Sequence, residues 1–132
     1  MPAGLDVGAA RLVTATADGT DGARNAALAV DRSDYVEDFL EGADTPSIET
    51  DAGILALGDA APEVATIAND EPTRLLGADS TLPAEDVPAA VEALLRSLVG
   101  EGDGPLRYAP PSGIDVTAIE DAASALGYDP AP

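Results

Sequence analysis

The chain has 132 residues, with 25 Asp and Glu against 6 basic residues, a net charge of −19 and a pI near 4.1. All the basic residues are Arg; Lys, His, Cys and Trp do not occur. These counts exclude a disulfide scaffold, Cys-bearing metal sites and any Ser-His-Asp or Cys-His relay within the chain.

Charge repulsion opposes binding to nucleic acid or to an anionic membrane, so no nucleic-acid partner is expected. No apolar run approaches the roughly 18 residues of a membrane span, and the N-terminus lacks a basic, apolar leader pattern. The expectation is a soluble cytoplasmic protein without membrane insertion. Ala accounts for 27 residues, whereas Leu, Ile, Val and Phe make 29 of 132, about 22%. That lies just above the roughly 20% below which highly charged chains tend to be disordered. One lean, Ala-rich core is feasible. The acids are spread along the chain without a run, and Lys is absent, which points to a high-salt cytoplasm. An acidic mimic that binds basic proteins is the competing reading.

In chain order, Leu5-Asp6-Val7 reads as a short strand closed by Gly8. Arg11 to Ala17 (RLVTATA) is rich in β-branched residues and reads as a second strand, with Asp18-Gly19 and Asp21-Gly22 as turn signals. Arg24 to Val30 reads as a third strand, giving an antiparallel meander over 1–30. Asp34 to Glu41 reads as a short helix with Tyr35, Val36, Phe39 and Leu40 apolar and Gly42 as its stop. Ile54 to Leu57 is a strand bounded by Gly53 and Gly58. Asp59 caps a helix to about Ala68 with Val64, Ile67 and Ala68 inward. Asn69 to Ser80 reads as loop. Val87, Val91, Leu94, Leu95 and Leu98 fall at helical spacing, with Pro88 near the start and Gly100 after the end. Leu106 to Ala109 is a strand stopped by Pro110-Pro111. Asp115 caps a last helix bearing Val116, Ile119, Ala123 and Leu126, closed by Gly127. The whole is α/β, one domain with a meander at 1–30, an insert at 31–83 and a helix-strand-helix at 84–132.

Gly4 to Val13 is the stretch with the most chemistry. A carboxylate, Asp6, leaves a buried strand, and Gly8 with small residues turns the chain into the next strand. Such a turn lets backbone N–H groups approach phosphate oxygens, while a carboxylate can hold magnesium through water. An ordinary Gly turn beside an exposed Asp is the plain alternative.

In this order of elements the chain resembles the N-terminal half of the actin-like ATPases, which include actin, bacterial actin homologues, heat-shock chaperone ATPases and sugar kinases. Gly4 to Val13 is similar to that family's first phosphate loop. Ala27 to Asp31 resembles the third strand of its meander. Ile54 to Ala61 (ILALGDAA) resembles the hydrophobic-x-x-G-x-x-A segment of its inserted small subdomain. Val87 to Leu98, Leu106 to Pro111 and Asp115 to Tyr128 resemble its helix, central strand and following helix. The resemblance covers nearly the whole chain, and only the first loop is a strict motif.

It implies a ribonuclease H-like, actin-type lobe that contacts ATP phosphates and magnesium, with a cytoskeletal or cell-shape role. Asp6 matches the magnesium-associated carboxylate, held through water, and Gly8 the loop glycine. Ala9 and Ala10 stand where the family commonly has Thr or Ser, which removes one or two hydroxyl contacts. Arg11 lies where a basic residue could neutralise phosphate charge; a solvated hairpin residue is its plain reading. The second phosphate loop and the adenosine-binding loop belong to the family's other half, and the lobe's last strand and helix are expected to be missing beyond Tyr128. Hydrolysis by this chain alone is therefore not expected, and no residue is assigned a catalytic role. Its expected partners are a complementing second half or another copy of itself. The alternative reading is a non-enzymatic, salt-adapted interaction domain that pairs with a partner through an open sheet edge. The acidic helical face of Asp34, Glu37, Asp38 and Glu41 reads as solvated, Tyr108 as core or subunit contact, and Thr73 to Gly77 shows no catalytic pattern.

Overall fold

Among the described residues, eight strands and four helices build two sheets with two hydrophobic cores. A computed structural model describes residues 3–8, 11–31, 34–42, 46–50, 53–68, 71–76, 82, 85–109 and 116–131. The strands β1 (Ala3–Val7), β2 (Arg11–Thr16) and β3 (Gly19–Arg24) make an antiparallel meander. Strands β7 (Pro105–Ala109) and β8 (Asp129–Ala131) add to β1 in parallel, giving a five-stranded sheet in the order β3-β2-β1-β7-β8. Helices α3 (Val87–Val99) and α4 (Thr117–Ala125) pack against each other and supply the crossovers. Their buried residues Ala90, Val91, Leu94, Leu95, Ile119, Ala122 and Ala123 meet Leu5, Val7, Leu12, Leu106 and Tyr108 in one core.

Alternation along the strands decides which face is dry. In β1 and β2 the residues Leu5, Val7, Leu12 and Thr14 are buried, while Asp6, Arg11, Val13 and Ala15 are exposed. The second sheet, β4 (Ala27–Val30), β6 (Gly53–Leu57) and β5 (Ser47–Thr50), is antiparallel. Every residue of β6 is buried, because its two faces serve two cores. Leu55 and Leu57 join the main core; Ile54 and Ala56 pack with helices α1 (Asp34–Glu41) and α2 (Ala60–Ala68).

The two clearest helices form as the spacing predicts, with Pro88 in the first turn of α3 and the Gly100 N–H bonded to Arg96 O. Helix α4 begins at Thr117 with Val116 before it; Asp115, read as its cap, lies outside the described residues, as do Pro110 and Pro111. Gly127 ends α4 with φ +97°, where a Cβ would sit 2.2 Å from Gly102 O.

Four expectations change. The third meander strand is Gly19–Arg24, not Arg24 to Val30. Thr16 pairs with Gly19, so Ala17-Asp18 is a two-residue turn that returns the chain at once. Pairing then runs through Asp21-Gly22, and the Asp21 carboxylate accepts the Gly22 N–H at 2.8 Å. Ala27 to Val30 belongs to the second sheet, where it pairs with Ile54 to Leu57. The strand expected to be absent after Tyr128 begins at Asp129 and pairs with Pro105 to Arg107. In α2 the inward residues are Ala60, Ala61, Val64 and Ala65, and Ile67 is 37% exposed. Ser47–Thr50, unassigned from the sequence, is an edge strand. Among the described residues, no helix is long and apolar enough to cross a membrane.

Candidate functional site

The β1–β2 connection is tight. The Gly8 N–H donates to Arg11 O at 2.9 Å, so this amide is spent inside the hairpin rather than free for a ligand. A Cβ on Gly8 would lie 2.9 Å from the same Arg11 oxygen, closer than real contacts allow. Glycine is thus required by close approach of two backbones. Ala9 and Ala10 lie outside the described residues. The Gly8 carbonyl accepts from Asn25 Nδ2 at 3.2 Å, and Asn25 is 3% exposed. The turn is therefore fastened from below by a buried amide.

Asp6 and Arg11 are diagonal neighbours in the register, with the Arg11 guanidinium beside Gly22 of β3. Asp6 is opposite Val13 and Gly4 opposite Ala15, so Arg11, two residues before Val13, shares the exposed face with Asp6. Diagonal partners in an antiparallel pair stand about 7–8 Å apart, within reach of long side chains. Across β2, Arg11 is opposite Arg24, and both are exposed. Arg11, Arg24, Asp59, Pro62, Glu63 and Thr66 line a hollow of about 420 Å³ between the sheet and α2. Asp59, expected as a helix cap, uses Oδ1 to accept the Arg24 backbone N–H at 3.0 Å. Among the described residues, no three potential ligands converge on a metal position. A single carboxylate with a flanking cation suits a magnesium held through water on a phosphate, rather than one caged by protein.

The Volactin family model matches residues 1–132. The chain belongs to the Volactin family. No curated protein and no solved structure matches it.

In this Volactin-family chain two residues at the site carry no sequence motif, Arg24 and the buried Asn25. Its Nδ2 also donates to Leu76 O at 2.7 Å, and its Oδ1 accepts the Leu76 N–H at 2.8 Å. The segment 71–76, read as featureless loop, is clipped to β4 through paired Ala27 and Thr73 backbone bonds of 2.8 and 2.9 Å, and buries Leu75 and Leu76. A polar residue between two short strands is the available signal, because a buried Asn must be satisfied. Tyr108 is core, with its hydroxyl donating to Glu120 Oε2 at 2.9 Å. Glu37, Asp38 and Glu41 of the α1 acidic face line a wide hollow with Glu49.

Proposed function

We propose that this Volactin-family chain is the phosphate-holding lobe of an actin-like nucleotide-binding protein of a high-salt cytoplasm, with a role in cell shape. The observation that carries it is the β1–β2 turn, where Gly8 lets two backbones close and Asp6 and Arg11 share one exposed face. An antiparallel meander continued by parallel crossover strands is the scaffold that the resemblance calls for, and the order β3-β2-β1-β7-β8 supports it.

In this reading the residues fit the group in a limited way. Asp6 holds magnesium through water, and Arg11 neutralises phosphate charge. The Gly8 amide is closed into the hairpin, so among the described residues the hold on phosphate falls to side chains. Magnesium, when bound, withdraws charge from the phosphate oxygens. The side chains gathered at the turn bind and orient; none is a base placed to activate water, and cleavage is assigned to groups supplied by a second half. Equilibrium binding of ATP at molar KCl tests the reading, with and without magnesium, in wild type and Asp6→Asn. Magnesium-dependent binding in the wild type that the variant loses is expected; no binding in the wild type would refute it.

A further inference from the structure

Two of the six arginines in a chain of net charge −19 stand directly opposite one another. Like charges at opposed positions of an antiparallel pair are destabilising. Screening by acids does not explain the arrangement at contact range: among the described residues neither Arg11 nor Arg24 makes an ion pair, although 25 acids are available. Arg96, by contrast, is paired with Glu92 and Glu101.

We propose that Arg11 and Arg24 work as a pair that grips one polyphosphate, with Arg24 the second guanidinium of the site. This rests on reading the β1–β2 turn as a phosphate loop. The pair is built on opposed strand positions, so its spacing is set by the sheet and not by two flexible loops. The end of β3 is fixed as well, because Asp59 holds the Arg24 N–H and the next residue, Asn25, is bonded to Gly8 and Leu76. Arg11 and Arg24 line the same hollow, and a guanidinium offers a planar fork that matches two phosphate oxygens. A bound polyphosphate converts the like-charge opposition into two attractions. Asp59, bonded to the Arg24 backbone, and Glu63 also line the hollow and disfavour a bare anion there. They select a polyphosphate that brings its own cation, such as a magnesium complex, over free phosphate.

The test uses inorganic triphosphate as the probe, titrated at molar KCl with and without magnesium, on wild type and on Arg24→Gln, Arg24→Lys, Arg11→Gln and Asp6→Asn. Arg24→Gln is expected to weaken magnesium triphosphate binding about tenfold, with the melting temperature unchanged or raised. Arg24→Lys keeps the charge but loses the fork, and is expected to remain several-fold weaker than wild type while folding normally. If either Arg24 variant binds as tightly as wild type while Arg11→Gln and Asp6→Asn weaken, the pair is overturned and the loop reading stands. If the wild type binds neither triphosphate nor ATP, the loop reading itself fails.

Discussion

The Asn25 side chain pairs with the Leu76 backbone through both of its polar atoms, Nδ2 to O at 2.7 Å and Oδ1 from N–H at 2.8 Å. The amide thereby replaces a strand neighbour for a segment that has none at that point, and its third bond reaches Gly8 O. One buried residue joins the candidate loop, the start of the second sheet and the 71–76 segment. Asn25→Leu leaves the Leu76 amide and carbonyl unpaired in a buried place, at a cost of about 1–3 kcal/mol for each group left unsatisfied. Urea unfolding at molar KCl should show a loss of about 2 kcal/mol or more. A loss under about 0.5 kcal/mol, the usual range of a surface change, would contradict the role assigned to it.

Gly8 is required by space. Gly8→Ala places a methyl 2.9 Å from Arg11 O, so the hairpin must open or shift. Overpacking of this kind costs about 1–3 kcal/mol. On the proposed function, the same shift is expected to move Arg11 and to weaken phosphate binding more than the stability loss alone accounts for. Crystallography of the variant, or its melting temperature and triphosphate affinity measured together, checks this. A variant as stable as wild type would contradict it.

Tyr108 is expected to contribute to an alkaline limit of the fold. Burial, then the hydrogen bond from its hydroxyl to Glu120 and that carboxylate's charge, raises its phenol above the ordinary value. A folded-state value above the unfolded one means that the contribution is complete below about pH 10 and is lost as pH rises through the folded value. Tyr108→Phe should flatten the alkaline arm of a stability profile measured by circular dichroism. An unchanged alkaline midpoint would show that Tyr108 plays no part in it.

Stability should rise with salt. A charge of −19 on 132 residues repels itself across distances that about 0.1 M salt, with a Debye length near 10 Å, screens poorly and 1 M salt, near 3 Å, screens well. Thermal melts in KCl should move upward over that range. Melting that is flat or falls with KCl would remove the salt-adaptation reading.

What the sequence made legible follows the strength of each physical signal. Helix α3 is read from Val87, Val91, Leu94, Leu95 and Leu98 because large side chains repeat at its period, and β6 because an apolar run sits between two glycines. Strand β3 was hidden because Asp21 and Gly22, turn formers in general, are tolerated at a sheet edge. Strand β5 was hidden because Ile48 is its only large apolar side chain. Ile67 misled because α2 packs mostly through alanine, whose small side chain leaves a weak hydrophobic stripe. At the candidate site, Asp6, Gly8 and Arg11 were found by their order along the chain. Arg24 and Asn25 were not, since only the register of β3 on β2 and the fold of 71–76 bring them there.

On the proposed function, nucleotide phosphates would sit on the β1–β2 turn. Amide and guanidinium resonances followed by NMR during titration with magnesium ATP at molar KCl test it most directly. Shifts that concentrate at Asp6, Gly8, Arg11 and Arg24 and leave α4 unmoved are expected. Saturable shifts centred elsewhere, with those four residues silent, would contradict it.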